Sequence, residues 1–149
     1  MTKARQSGLL PALLLIIAAS QSANAEVVRV QTGEHARFTR IAMVFESPVQ
    51  WRAGRLKTGF GIDFLRDTLT LDLTDAFRLI PRDRIADLTW DAAAGRLVID
   101  STCACYLNVM VLPGNTVAID VVGGQAPEQS RFEQPLDPPT AGLVEMLQA

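Results

Sequence analysis

The chain has 149 residues, with 14 Lys and Arg against 16 Asp and Glu, and a formal net charge of −2. This length suits a single domain with a modest hydrophobic core. Because nucleic acids and anionic membranes are bound through basic surfaces, the acidic balance argues against either as the main partner.

The first 25 residues show the three parts of a secretory signal peptide. Lys3 and Arg5 precede an apolar run at residues 9–19, and an A-x-A cleavage site at residues 23–25 follows it. The run is shorter than the ~20 apolar residues that span a bilayer, so we predict no transmembrane segment in the mature chain. Cleavage after Ala25 leaves 12 basic and 16 acidic side chains, a net charge near −4. We therefore expect an exported protein, periplasmic in a two-membrane bacterium.

Residues 27–122 contain nine short segments with the composition or the alternation of β-strands. In the clearest one, Leu69, Leu71 and Leu73 alternate with Thr70 and Asp72, which is the period of a strand with one buried face. The nine segments are residues 27–31, 38–46, 49–53, 57–64, 69–73, 85–91, 96–100, 107–112 and 116–122. The pattern predicts an all-β fold, an antiparallel β-sandwich of about 7–9 short strands.

Two local patterns add detail to the predicted sandwich. Residues 74–80 have the character of one short helical turn, with Thr74 as N-cap and Pro81 ending it, and no other helix is expected. Residues 39–45 and 95–100 each place a small residue and an arginine before an apolar strand. This internal echo predicts two stacked β-meanders.

The composition changes after Gly124. Residues 125–139 are rich in Pro, Gln and Glu, and such a segment buries too little apolar surface to pack, which predicts a linker. Residues 140–149 are too short for a stable isolated helix, and a truncated reading frame or a small docking tail are the two alternatives. The predicted organisation is a signal peptide at 1–25, a β-sandwich domain at 26–124, the linker and this tail.

The two cysteines, Cys103 and Cys105, are one residue apart. On a regular strand, residues two apart share a face with Cα atoms about 6.6–6.8 Å apart, at the upper limit for a disulfide. The simplest interpretation is two thiols packed against the core. A disulfide formed in an oxidising compartment needs a bulge or turn at Ala104 and is the main alternative. We predict no metal site, because only His35, distant in sequence, could join the two thiols, and a two-thiolate copper(I) site lacks a methionine motif.

Four arginine and tryptophan side chains form the candidate binding surface. Arg82 and Arg84 flank an aspartate in a turn, and Trp51 and Arg52 add the residue types enriched in binding hot spots. A solvated turn and a core tryptophan are the alternatives. His35 is the one imidazole, and nothing like a nucleophile elbow surrounds the serines, so we predict no catalytic residue and no enzyme activity.

The strand at residues 39–45, the hairpin at residues 87–100 and the closing strand at residues 115–120 resemble those of the AMIN-type domains of bacterial envelope proteins. The chain is also similar to the amino-terminal segment of exported alphaproteobacterial proteins, in which a Cys-x-Cys strand precedes a Val-x-Ile-Asp ending. The resemblance covers most of residues 27–122. It implies a small β-sandwich, not itself an enzyme, that binds peptidoglycan or an envelope protein, and it carries over no site residue.

Together these observations lead us to expect a non-catalytic targeting domain of the cell envelope that needs no cofactor. The alternative is a periplasmic thiol-redox or copper-handling protein that uses Cys103 and Cys105. A hydrolase centred on His35 is the third hypothesis.

Overall fold

The computed structural model describes residues 24–136. The predicted tail, and all but the last two residues of the predicted signal peptide, lie outside the described residues. The elements are β1 (Glu26–Arg29), β2 (Gln31–Glu34), β3 (Phe38–Val44), β4 (Trp51–Leu56), β5 (Gly59–Phe64), β6 (Leu69–Asp72), β7 (Asp87–Asp91), β8 (Arg96–Asp100), β9 (Cys105–Leu112), β10 (Thr116–Gly123) and a 3₁₀ turn (Arg131–Glu133). The all-β prediction is confirmed. Within the described range, no helix is long and apolar enough to cross a membrane.

Two four-stranded antiparallel sheets form the layers of a sandwich. Sheet I has the strand order β2-β3-β10-β9, and sheet II has the order β4-β5-β8-β7. β1 and β6 pair in parallel as a small third sheet. The largest side chains that are less than 2% exposed belong to Val30, Ile41, Met43, Phe60, Ile62, Ile85, Leu97, Ile99, Leu107, Val117, Ile119 and Val121. Apolar residues at every second position supply this core, as the alternation predicts.

The strand boundary near Val30 and the strand order differ from prediction. The chain near Val30, predicted as one strand, forms β1 and β2 because Val30 is buried between them while β1 pairs with β6 and β2 with β3. The two sheets are also not consecutive meanders. Sheet I combines strands from the beginning and the end of the domain, and sheet II consists of strands from its middle.

Each sheet carries an arginine–aspartate pair between its two central strands, on the face away from the core. In sheet I, Arg40 lies opposite Asp120 and donates Nε and Nη2 to the carboxylate at 2.7 and 2.8 Å. In sheet II, Arg96 lies opposite Asp63 and donates at 2.5 and 2.9 Å. Hydrogen bonding to the carboxylate raises the pKa of each of these arginines above its ordinary value. The repeated pattern of a small residue and an arginine therefore places Arg40 and Arg96 at equivalent positions in the two sheets.

Residues 74–80 form turns, so the predicted helical turn at this place is wrong. The capping residue is Asp72, whose carboxylate accepts bonds from the Thr74 hydroxyl at 2.6 Å and from the Thr74 N–H at 3.0 Å. Two separate i→i+3 backbone bonds follow, and their acceptors are the carbonyls of Leu73 and Asp75. Such local side-chain bonds offer the backbone an alternative to a helix.

Candidate recognition site at the open side of the sandwich

The sandwich has an open side between the edge strands β4 and β9, and residues 131–136, here called the closing segment, cover it. The side chain of Phe132 is only 8% exposed and packs with the core. Residues 131–136, which the sequence placed in a linker at residues 125–139, thus pack on the sandwich. One aromatic side chain supplies the apolar surface that the surrounding polar composition lacks, and its burial holds the segment on the sandwich.

The backbone of β4 binds the closing segment directly. Arg55 donates its N–H to the Gln134 carbonyl at 2.8 Å, and Leu136 donates its N–H to the Arg55 carbonyl at 2.9 Å. Gly54 leaves room for this approach, because a Cβ at that position would lie 2.7 Å from the Gln134 oxygen. Gly61, opposite Gly54 on β5, leaves room for the Leu136 side chain in the same way. The closing segment therefore covers the edge of sheet II.

The guanidinium of Arg55 connects three parts of this side. Its Nη2 donates to the Glu133 carboxylate at 2.8 Å and to the Cys105 carbonyl at 3.0 Å. The guanidinium carbon also lies 4.3 Å from the centroid of the Phe60 ring. Arg55 therefore joins β4, the first residue of β9 and the closing segment.

The exposed guanidinium of Arg131 lies next to the half-buried ring of Trp51 and the buried ring of Phe132. The Trp51 and Phe132 ring centroids are 6.1 Å apart, and the Arg131 guanidinium lies 5.9 Å from the first ring and 5.2 Å from the second. Arg131 is exposed and lines two open cavities, one of about 460 Å³ beside β9 and one of about 270 Å³ beside β4. Between residues 24 and 136 it has no carboxylate partner. An exposed guanidinium next to aromatic rings suits a carboxylate-bearing ligand.

The four predicted binding residues fall into two separate places. Trp51 and Arg52 lie on β4, where Arg52 pairs with Asp63 at 2.8 Å. Arg82 pairs with Asp87 of β7 at 3.7 Å, and β7 is the opposite edge of sheet II. Arg84 is half-buried and donates to Glu34 and to the Ala36 carbonyl, so it links the turn after residue 80 to sheet I. The structure brings the first two together with the closing segment and leaves the other two elsewhere.

Sequence reasoning missed Arg131 and Phe132, because their segment has the composition of a linker. The signal that could have found them is the isolated aromatic residue between Arg131 and Glu133. When a polar segment follows a small β-domain and contains one large apolar side chain, we expect that side chain to pack on an open side of the domain. The open side is located only by the strand order, which places β4 and β9 at neighbouring edges of the two sheets.

Cys103 and Cys105 are joined by a disulfide, with their Cα atoms 5.3 Å apart. β8 ends at Asp100 and β9 begins at Cys105, so Cys103 lies in a bend where the spacing of a regular strand does not apply. The structure thus differs from the interpretation as two free core thiols. Cys105 is nevertheless buried, and Cys103 is half-buried with its Sγ 3.3 Å from the Ser101 hydroxyl oxygen.

His35 lies in the turn between β2 and β3, at the opposite edge of sheet I from β9. Its ring stacks on Phe38 with 4.4 Å between the centroids. In the part of the chain that the structure describes, no group of three or more His, Cys, Asp or Glu side chains is placed to hold a metal ion.

Comparison of the chain with protein-family models, with curated proteins and with solved structures found no significant match.

Proposed function

We propose that the protein is an exported, non-catalytic binding domain that acts at the bacterial cell envelope, with peptidoglycan or an envelope protein as its ligand. The observation that carries this proposal is the surface formed by the exposed Arg131 guanidinium and the half-buried Trp51 ring, which pack beside the buried Phe132 ring. The signal-peptide pattern at residues 1–25 supports export to the periplasm. The proposal requires no cofactor.

Both proposed ligands have chemistry that matches this surface. Glycan rings present apolar faces to an aromatic side chain, and the peptide stems of peptidoglycan carry carboxylates that a guanidinium binds as a planar, two-donor group. An envelope protein can present acidic and apolar side chains to the same surface. The resemblance to AMIN-type domains supports the same location.

A sedimentation assay with purified cell-wall sacculi tests the proposal. We expect the full chain to pellet with sacculi at low salt and Arg131→Ala to reduce the pelleted fraction. Arg82→Ala is the matched control, because Arg82 is an exposed arginine at the other edge of sheet II. A crosslinking pull-down from native envelopes covers a protein ligand. If the parent chain neither pellets nor captures an envelope protein, the proposal is wrong.

A second candidate function is thiol–disulfide exchange by Cys103 and Cys105. It is favoured by the disulfide itself, which links residues only two apart. Cys103 is half-buried, and its Sγ lies 3.3 Å from the Ser101 hydroxyl oxygen. In such an exchange a partner dithiol is oxidised to a disulfide, and Cys103 and Cys105 become two thiols by accepting two electrons and two protons.

Thiol counting separates this candidate from the binding function. The native protein is incubated with a reduced dithiol oxidoreductase and then labelled with a thiol reagent before and after unfolding. Rapid, reversible appearance of two thiols in the native protein supports exchange, and thiols that react only after unfolding contradict it. Metal analysis of the reduced protein after dialysis against copper(I) tests the copper-handling version.

A further inference from the structure

The free edge of β9 differs from every other sheet edge of the described sandwich. β9 has eight residues, Cys105–Leu112, and none of them is charged. The other edge strands are shorter and charged: β2 contains Glu34, β7 contains two aspartates, and β4 contains two arginines and is covered by the closing segment. Natural proteins usually protect sheet edges by short length, by charge or by a cover. β9 is neither short nor charged, and the closing segment lies against it at the 3₁₀ turn.

The register shows which backbone groups of β9 are free. Gly124 donates its N–H to the Ala104 carbonyl at 2.8 Å, so residues 104 and 124 form a hydrogen-bonded pair. Because such pairs alternate along an antiparallel ladder, the even-numbered residues of β9 bond to β10 and the odd-numbered residues point away from it. The Cys105 carbonyl accepts from Arg55 on that outer side. The N–H and carbonyl groups of Leu107, Val109 and Val111 therefore face outwards.

A groove follows this free edge. The cavity of about 460 Å³ is lined by the four consecutive residues 106–109 on one side and by Pro127, Gln129, Ser130, Arg131 and Phe132 on the other. A cavity above one face of a strand is lined by every second residue, so four consecutive residues indicate a groove along the backbone edge. A second cavity, of about 240 Å³, lies at the far end of β9, where Val111 and Leu112 face Val49 and Pro48. Val111 is 62% exposed.

We propose that the free edge of β9 binds an extended, acidic peptide segment of a partner protein, which adds to sheet I as a fifth strand. Main-chain bonds to residues 107, 109 and 111 provide affinity, as in other cases of strand addition. An acidic side chain of the peptide pairs with Arg131 in the first cavity, and an apolar side chain fills the second. This inference rests on the proposed binding function and names the ligand class at the same side of the sandwich.

Charge and shape favour a single extended chain over a second copy of the domain. Arg131 lacks a carboxylate partner among the described residues, and the uncharged edge of a second β9 would not supply one. The groove also has a far wall, formed by residues 127–132. A single extended chain needs less room beside this wall than the edge strand of another sandwich, which carries a sheet behind it. Eight residues of extended peptide span roughly 26 Å, the length of β9.

The probe is a blocked eight-residue peptide of alternating Thr and Val, the length of β9, made with one Glu at its first or its last position. Matched peptides carry Lys in place of Glu. Affinity for the full chain is measured by calorimetry, and hydrogen exchange of the β9 amides by NMR. We expect one Glu peptide to bind about two- to fivefold more tightly than its Lys match and to protect the amides of Leu107, Val109 and Val111.

Three variants test whether the peptide binds through the β9 edge and Arg131. Val111→Pro removes an outward N–H at an exposed edge position, which a proline can occupy, and we expect it to weaken peptide binding about three- to tenfold. Val111→Thr keeps that N–H and should leave the affinity within about twofold. Arg131→Gln, at an exposed position, should abolish the preference for Glu over Lys. It also keeps the test decisive if the proline variant does not fold.

The outcomes distinguish this inference from the function on which it rests. If no peptide protects the β9 amides while the chain still pellets with sacculi, the inference is overturned and the proposed function stands. A concentration-dependent dimer in sedimentation velocity that Val111→Pro abolishes, without peptide binding, overturns it in favour of a second copy. Glu-selective binding that depends on Val111 N–H and on Arg131 supports it.

Discussion

Asp63 lies on the outward face of sheet II, yet it is only 3% exposed, because Arg52 and Arg96 both cover it. A buried carboxylate is tolerated when hydrogen bonds and opposite charges compensate its desolvation. The equivalent Asp120 of sheet I is 4% exposed and paired with Arg40. These two pairs occupy equivalent positions on the central strands of the two sheets. They place charged groups on the outer faces while the aspartates remain buried.

Neutralising Asp63 tests this description. Asp63→Asn removes the buried carboxylate that accepts hydrogen bonds from both Arg52 and Arg96, so we expect the free energy of unfolding to fall by about 2–4 kcal/mol, measured by urea denaturation. The control is Asp87→Asn, because the exposed pair of Asp87 with Arg82 should contribute less than about 0.5 kcal/mol. Equal effects of the two substitutions would contradict the prediction.

Phe132 provides a second test at the residue scale. Phe132→Ala removes the ring that covers the open side of the sandwich, and we expect it to lower the free energy of unfolding by about 3 kcal/mol in urea denaturation. Arg131→Ala, at the exposed neighbour, should change it by less than about 0.5 kcal/mol. A loss below about 1 kcal/mol for Phe132→Ala would mean that the closing segment does not stabilise the domain.

Asp72 gives a pH-dependent test. Hydrogen bonds from the Thr74 hydroxyl and N–H, in that order, lower the pKa of the Asp72 carboxyl, and Arg29 adds to the effect. A carboxyl with a lowered folded pKa contributes stability above its unfolded pKa, and this contribution is lost as the pH falls through the folded value. Thr74→Val should therefore raise the Asp72 pKa toward its ordinary value in an NMR titration. Thr89→Val, on β7, is the control and should leave it unchanged.

At the scale of elements, the first residue of β9 is held by both a covalent bond and a hydrogen bond. The disulfide joins Cys105 to Cys103, and the Cys105 carbonyl accepts from Arg55. A bond between residues two apart closes a ring of only three residues, so it restricts the unfolded chain little. Its effect on β9 is therefore local.

Removal of the disulfide should accordingly be tolerated. For Cys103→Ala with Cys105→Ala, the chain-entropy model for a three-residue ring gives a loss of about 1.6 kcal/mol, to be measured by urea denaturation. Reduction of the parent protein is the matched comparison and should give a loss of similar size. Failure of the double variant to fold would show that the disulfide has a larger structural role.

Most strands follow from alternation of apolar residues, and the exceptions have local causes. Predicted segments at residues 38–46, 57–64 and 96–100 overlap β3, β5 and β8 closely. The predicted helical turn failed because the Asp72 side chain competes for the backbone groups of the turn. β1 and β2 separate at Val30 because their partners, β6 and β3, belong to different sheets.

At the scale of the whole molecule, the nested strand order creates the candidate site. Sheet I brings the two ends of the domain together, so β9 becomes an edge strand, while β4 becomes the edge of sheet II on the same side. The chain after β10 then crosses between the two edges and buries Phe132. Of the four predicted binding residues, only Trp51 and Arg52 lie there, because Arg82 is beside β7 at the opposite edge of sheet II and the Arg84 guanidinium is bound to the turn between β2 and β3.

By itself, the sequence determined the all-β class, most strands and the faces of those strands that turn towards the core, because these depend on periodicity. Only the tertiary structure decided which strands became edges, which guanidiniums found carboxylates and where a lone phenylalanine in a polar segment could be buried. These depend on contacts between residues far apart in the chain, such as Arg55 with Glu133 and Trp51 with Phe132. Alternation along one strand carries no information about the strand that lies beside it.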